Sequence, residues 1–379
     1  MRKVAVFFGG KSSENEISVL TGVFVMNLLD REKYTVLPVY IHTDGGAYHS
    51  PKMTDLNVFK EKRFSSFERV IFDEGTMYAF NPAKKKIKRI AKIDAALNCC
   101  HGGLGEGGGV SALAEWNSIP FASPDLTASG VFMDKCMTKT IMRGLGVPTL
   151  DYIRVNEKDY KKRGAFLLKS IEARLKYPVV IKPAHLGSSI GISVAKNEAE
   201  AKAAIEGAFA LDNRVIIEKY LDQKRDVNCA ACMLGGEILV SEPETAFEDG
   251  VYSFEEKYLK RKADGEGGVL SENSLKGGGR VAITGDLRNK IRAYTCTVYK
   301  RMNLFGAVRM DFLVSGDKVY LCEVNTVPGS LAYYLFCERM IDARDFFSEL
   351  IEEAIARASE GEKKILSTGI LSGVQWRRK

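Results

Sequence analysis

Ala307-Val308-Arg309-Met310-Asp311-Phe312-Leu313-Val314, a Ser315-Gly316-Asp317 corner, then Lys318-Val319-Tyr320-Leu321-Cys322-Glu323-Val324-Asn325-Thr326: this stretch decides how the chain is read. Aromatic and β-branched residues around a glycine corner predict two antiparallel strands. Along the first, Met310, Phe312 and Val314 alternate with Arg309, Asp311 and Leu313; along the second, Tyr320, Cys322 and Val324 alternate with Leu321, Glu323 and Asn325. One face is therefore apolar, and the other carries an arginine, two carboxylates and an amide. Alternation by itself describes a solvated sheet face equally well. Asp and Glu are poor strand formers, however, and two facing carboxylates repel unless a cation lies between them. Oxygen ligands from Asp311, Glu323 and Asn325 suit Mg²⁺, which takes a few protein oxygens and fills its shell with water and phosphate. Register sets a condition. A two-residue turn would place Asp311 opposite Cys322 and turn Glu323 away, so the hairpin needs a three-residue turn or a bulge.

Upstream, Pro178-Val179-Val180-Ile181-Lys182-Pro183 reads as a short apolar strand, followed by His185-Leu186-Gly187-Ser188-Ser189-Ile190-Gly191. Small residues let backbone N–H groups approach phosphate oxygens, and Lys182 adds a point charge. A Gly-Ser loop is also an ordinary turn. No GxxxxGK[ST] occurs and no GxGxxG follows a strand, which argues against a P-loop enzyme and a dinucleotide-dependent dehydrogenase. A helix over 134–145 begins at Asp134-Lys135 and stops at Gly146 and Pro148, and residues 215–221 form another strand. Residues 248–280, rich in Gly, Lys and Glu, predict a lid.

The first third alternates strand and helix. Strands at Val4–Phe8, Thr35–Ile41 and Ala95–Cys100 lead into helices near Ile17–Leu29 and 110–117, and Ser13 with Glu16 has capping-box spacing. This pattern predicts a parallel sheet with ligands at the strand C-termini. Residues 51–93 read as a β-rich insertion with basic surface, and an amphipathic helix near 343–358 precedes a basic tail.

Of 379 residues, 45% are hydrophobic and 27% charged, as in globular chains of two or three domains. Fifty-five Lys and Arg against 48 Asp and Glu give +7, compatible with anionic small substrates. The basic residues are spread along the chain, which argues against nucleic acid. No signal-peptide pattern opens the sequence and no apolar run approaches the roughly 18 residues of a membrane span, so a soluble cytoplasmic protein is expected. Eight cysteines are then expected as thiols. Cys229-Ala230-Ala231-Cys232 spells CxxC, but on a strand residues three apart project to opposite faces. Cys99-Cys100-His101 diverges for the same reason, so these sulfurs are read as core packing.

Taken in order, Gly9-Gly10-Lys11-Ser12-Ser13-Glu14-Asn15-Glu16-Ile17-Ser18, His101-Gly102-Gly103-Leu104-Gly105-Glu106, Asp134-Lys135, Lys182-Pro183 with Gly187–Gly191, Arg309-Met310-Asp311 and Glu323-Val324-Asn325-Thr326-Val327-Pro328-Gly329 resemble the D-alanine–D-alanine ligase family of the ATP-grasp superfamily. The resemblance spans nearly the whole chain. It implies an α/β, multi-domain architecture: an N-terminal open parallel-sheet α/β domain (1–123), a central ATP-grasp subdomain (124–216) and a C-terminal one (217–379). It further implies ATP contacts from Lys135, Lys182, Ser188, Ser189, Glu218, Tyr220, Leu221 and the lid's Lys257. Asp311, Glu323 and Asn325 become ligands of two Mg²⁺, with Mn²⁺ able to substitute.

In the implied reaction the carboxylate of one D-alanine attacks the γ-phosphorus of ATP, and the amine of the second attacks the resulting acyl phosphate. Arg309 and the Gly329 N–H hold the oxyanion. Glu14 holds the first ammonium and links through Ser188 to Tyr258 of the lid, while His101 lies near the substrates or merely orients a loop. The product would enter peptidoglycan precursors, and a homodimer is implied. Two positions depart from the family pattern. Tyr334, followed by Leu335, stands where the family's serine helps hold the second substrate's carboxylate, and Asp226 is the nearest candidate for the ribose-contacting acid. Rival readings follow: the same chemistry with D-serine, D-lactate or another small acceptor, or a nucleotide-binding regulator that has lost catalysis. Lys257-Tyr258 resembles the lid of peptide-forming members, which weakens the D-lactate version, and the intact Arg309, Asp311, Glu323 and Asn325 weaken the regulator.

Overall fold

A computed structural model describes residues 1–247, 283–360 and 368–370. The first sheet holds β1 (Arg2–Gly9), β2 (Tyr34–Ile41), β3 (Ala47–His49), β4 (Glu68–Asp73), β5 (Thr76–Asn81), β6 (Lys86–Lys92) and β7 (Ala95–Asn98), in the order β6-β5-β4-β3-β2-β1-β7. Only β2, β1 and β7 run parallel; every other neighbouring pair is antiparallel. The parallel sheet expected from the sequence is thus a mixed one. Connections as short as Glu74-Gly75, both at positive φ, permit a hairpin but never the long crossover that parallel strands need. The segment 51–93 extends this same sheet. Its first part is helical turns, including α2 (Asn57–Lys60), and its strands begin only at Glu68.

Strand β1 is buried on both faces, which explains its unbroken apolar run. Val4, Val6 and Phe8 pack on α1 (Asn15–Leu28) and α9 (Ala343–Ser359), whereas Ala5 and Phe7 pack with Val110 and Ala114 of α3 (Val110–Trp116). Helix α1 lacks the expected Ser13–Glu16 capping box. Glu14 occupies the cap position without a side-chain cap bond, because its carboxylate instead accepts from the Ser188 hydroxyl.

After α4 (Leu126–Met133) and α5 (Lys135–Gly144) comes an antiparallel sheet of β8 (Tyr152–Asn156), β9 (Val179–Pro183), β10 (Ser193–Ala195) and β11 (Arg214–Lys219), ordered β10-β9-β11-β8. Val179, Ile181, Val215 and Ile217 face α6 (Glu157–Arg174) and α7 (Glu198–Phe209). Period-2 alternation therefore turns Lys182, Ile216 and Glu218 to the other face. Strand β11 ends at Lys219, so Tyr220 and Leu221 lie just past it rather than within it.

The third sheet contains β12 (Arg225–Leu234), β13 (Glu237–Val240), β14 (Glu244–Phe247), β15 (Val308–Ser315) and β16 (Lys318–Asn325), with α8 (Gly285–Arg301) on one face. Met310, Phe312, Val314 and Val324 enter a core shared with Ile291 and Val298 of α8, Phe132 of α4 and Met142 of α5. Cys229 joins that core and Cys232 the first one; Cys99 and Cys100 likewise enter different cores. All eight cysteines are free thiols. Among the described residues no helix is long and apolar enough to cross a membrane.

Candidate active site

The hairpin meets its register condition with a bulge. Gly316-Asp317 forms a two-residue turn, and Ser315 pairs with Lys318, Val314 with Val319, Leu313 with Tyr320 and Phe312 with Leu321. Between Phe312 and Asp311 the register shifts, so that Asp311 faces Glu323 and Arg309 faces Asn325. Cys322 is the extra residue. The shift also corrects the expected alternation on β16: below it, Val319 and Leu321 enter the core in place of Tyr320 and Cys322.

The polar face is internally bonded. Arg309 donates from Nε to Asp311 Oδ1 at 2.8 Å and from Nη2 to Oδ2 at 2.9 Å, while Asn325 Nδ2 donates to Oδ2 at 3.0 Å. The third Arg309 nitrogen, Nη1, donates to Tyr334 Oη at 3.0 Å. Glu323 Oε2 lies 3.7 Å from Lys135 Nζ. Among the described residues no three His, Cys, Asp or Glu side chains converge as a closed metal cage. Two carboxylates and an amide form an open set, which fits a hard cation that keeps water and phosphate in its shell.

Tyr334 and Leu335 follow an unusual turn. Ser330, Leu331 and Ala332 have φ of 50°, 53° and 53°, three consecutive side-chain-bearing residues in the left-handed region. Such a residue costs about 1–2 kcal/mol. Burial of Leu331 and Tyr333 in the first core, and a 3.3 Å bond from the Ser330 N–H to Thr21 Oγ1, offset the strain.

Across from the hairpin stands a cationic wall. Lys135 opens α5, and its Nζ donates 2.5 Å to the Leu186 carbonyl. Lys182 Nζ lies 2.7 Å from Glu218 Oε2 and Lys139 Nζ 2.8 Å from Glu218 Oε1. Burial alone would raise the Glu218 pKa, but Lys139 and Lys182 hold it at about 2. Burial works against the charge of Lys182 as well, and the Glu218 carboxylate keeps its pKa above the ordinary value.

The floor comes from the first sheet's loops. Glu14 accepts from the Ser188 hydroxyl, and Gly102 and Gly187 press on its carboxylate. A Cβ at Gly102 or Gly187 would lie 2.5 Å or 2.8 Å from Glu14 Oε2, so a larger residue at either position would displace the Glu14 carboxylate. Burial lowers the His101 pKa to about 4, leaving a neutral ring whose Nε2 is 2.8 Å from Thr21 Oγ1. Burial in the cleft wall raises the Glu106 pKa to about 7, despite a 2.7 Å bond from the Gly102 N–H.

One cleft joins these parts: Glu14, His101, Glu106, Lys135, Ser188, Arg309, Asp311, Glu323, Asn325 and Gly329 all line it. Lys182 and Glu218 are buried in its cationic wall. Ser189 sits at φ 60° in the loop after β9. Asp226 lies on β12 opposite Leu313, bound by Lys224 Nζ at 2.5 Å. Lys257 and Tyr258, with the expected lid over 248–280, fall outside the described residues.

Sequence reasoning passed over two groups. Lys139 sits one helical turn beyond Lys135, a spacing that hinted at a shared face. The other is a clamp at the start of α5. Asp134 caps the helix by accepting from the Cys136 and Met137 N–H groups, at 2.8 and 3.1 Å. The same carboxylate meets Arg214 and His185, and His185 Nδ1 also lies 3.0 Å from Asp212. Hydrogen bonds to Asp134 and Asp212 raise the His185 pKa to about 9, so the ring is protonated. This clamp ties the helix bearing Lys135 to the loop bearing Ser188.

A family model described as D-ala D-ala ligase N-terminus matches residues 3–124, and one described as D-ala D-ala ligase C-terminus matches residues 141–356. The chain is similar to the D-alanine–D-alanine ligase of Thermosipho africanus, 32% identical over 370 residues that cover 96% of this chain and 95% of that one. Its fold is that of the D-alanine–D-alanine ligase of Coxiella burnetii (TM-score 0.75, 23% identity, covering 95% and 97% of the two chains). It also matches the VanG D-Ala:D-Ser ligase of Enterococcus faecalis (TM-score 0.69, 24% identity, covering 94% and 99%). This is the ATP-grasp fold.

Proposed function

The chain belongs to the D-alanine–D-alanine ligase family, and on that premise we propose that it joins two D-alanines with ATP through an acyl phosphate, for peptidoglycan precursors. The observation that carries this reading is the bulge at Cys322, which sets Asp311 against Glu323 within reach of Lys135. Glu14 takes the ammonium of the first D-alanine, and Lys135 and Lys182 hold the phosphates while its carboxylate attacks the γ-phosphorus and ADP departs. Asp311, Glu323 and Asn325 would hold Mg²⁺, or Mn²⁺ in its place, which neutralises charge on the transferring group. The amine of the second D-alanine then attacks the acyl carbon. Arg309, already oriented by Asp311, and the Gly329 N–H receive the charge growing on oxygen, each donor worth about 3 kcal/mol in comparable sites. The C–N bond forms as phosphate leaves.

Tyr334 supports a second reading with the same chemistry. Its phenol is bonded to the oxyanion arginine and reaches farther from the backbone than a serine hydroxyl, so the acceptor site is reshaped and D-serine or another small acceptor is the rival substrate. Boundaries near 123 and 216, a cytoplasmic location, a homodimer, and contacts of Tyr220, Leu221, Lys257 and Asp226 with the nucleotide belong to the same proposal. The test is phosphate release from ATP with D-alanine alone, then with D-alanine paired with D-serine, D-lactate and other acceptors. Turnover with D-alanine alone is expected. Turnover only with a mixed pair would transfer the assignment to the rival, and none with any pair would leave a nucleotide-binding regulator.

A further inference from the structure

The deepest charges described in the molecule lie inside the cationic wall rather than on the cleft. Lys139 is fully buried (0% exposed) and Glu218 is 2% exposed. One carboxylate serves both ammonium groups: Oε1 lies 2.8 Å from Lys139 and Oε2 2.7 Å from Lys182. The next polar atom beside Lys182 is Cys322 Sγ, 3.8 Å from its Nζ. Lys139 Nζ makes no well-aligned hydrogen bond, and its other polar neighbour is the face of Tyr152, 6.0 Å from the ring centroid. Within this buried triad two cations meet one anion, which leaves one positive charge over; the Glu323 carboxylate outside it is more exposed and faces Lys135 at 3.7 Å.

An unbalanced buried charge disfavours folding, and a methionine would fill nearly the same volume as Lys139 without it. The surplus is offset once an anion arrives beside Lys182. We propose that Lys139 is a positioning residue that sets affinity for nucleoside di- and triphosphates: by occupying one oxygen of Glu218, it leaves Lys182 under-neutralised and able to attract a phosphate. This rests on the reading of Lys182 as a phosphate contact. Without Lys139, Glu218 would pair with Lys182 alone and quench it.

The two consequences have opposite signs, and that separates this role from simple core packing. Removing the charge should weaken phosphate binding while leaving the protein as stable or more stable. The experiment is isothermal titration of the full chain and its Lys139→Met variant with ADP and, separately, with adenosine, both in Mg²⁺, beside thermal melts without nucleotide. ADP affinity should fall about tenfold, the scale of one charge-assisted contact, with adenosine affinity held within about twofold. The melting midpoint should stay level or rise. Lys139→Gln carries the same expectations and serves if the methionine variant does not fold. Unchanged ADP affinity, or an equal loss for adenosine and ADP, would overturn the role of Lys139 alone. Failure of ADP to bind the unaltered chain would overturn the nucleotide reading with it.

Discussion

The two walls of the cleft solve opposite electrostatic problems in different ways. In the cationic wall the carboxylate is matched within the protein: Lys139 and Lys182 are buried, and each pairs with one oxygen of the buried Glu218. The hairpin wall stays partly open, with side-chain exposures of 20% for Arg309, 21% for Asp311 and 32% for Glu323. A buried carboxylate must be matched by the fold itself, because unpaired it would be prohibitively costly. A partly exposed one can wait for a ligand. The difference separates a wall whose carboxylate is matched within the fold from one that is left open, and it predicts how each responds to change.

The largest effect should fall on the open wall. Glu323→Gln removes one carboxylate of the proposed cation site and should lower Mg-ATP turnover by at least about a hundredfold, with the melting midpoint nearly unchanged, because Glu323 is partly exposed and its contact with Lys135 is long, at 3.7 Å. Near-normal turnover would take Glu323 out of the cation site. Tyr334→Ser, at the edge of that wall, should shift the KM of the second substrate by about tenfold and that of the first by much less, the size of one lost hydrogen bond to a charged group. Equal shifts would refute the placement of Tyr334 at the acceptor.

The smallest effect belongs to the clamp behind the closed wall and appears in stability alone. The His185 pKa is raised from 6.5 to about 9 by Asp134 and Asp212, with Arg214 also bonded to Asp134. Its contribution is therefore complete below about pH 6.5 and lost as pH rises through about 9. The melting midpoint should fall over that window and His185→Gln should flatten the fall; parallel curves for the two proteins would remove His185 from the clamp.

What could be read from the sequence depended on whether the signal was local. The alternation of Arg309, Asp311, Glu323 and Asn325 announced a polar strand face, and period-2 geometry demanded either a three-residue turn or a bulge, of which the fold uses the bulge. Its position at Cys322 was not legible, and neither was the consequence that Tyr320 and Cys322 leave the core. Beyond its spacing from Lys135, nothing local marks Lys139, since its partner Glu218 comes from a distant strand. His185, Asp212 and Arg214 are scattered in the same way. The missing capping box shows the converse: Ser13 and Glu16 have the right spacing, yet Glu14 takes the cap position of α1 and its carboxylate is engaged with Ser188 in a tertiary contact. In the first sheet the strand–helix alternation at either end hid an antiparallel middle, where hairpin turns such as Glu74-Gly75 were the better guide.

The central claim is that Asp311, Glu323 and Asn325 gather a divalent cation facing the lysines that hold the nucleotide. Crystals grown with Mn²⁺ and ADP test it most directly, through an anomalous difference map. A peak is expected in contact with Asp311 and Glu323, with ADP phosphate oxygens completing the shell on the side of Lys135 and Lys182. A bound ADP whose metal peak lies away from those carboxylates, or whose phosphates avoid both lysines, would contradict it.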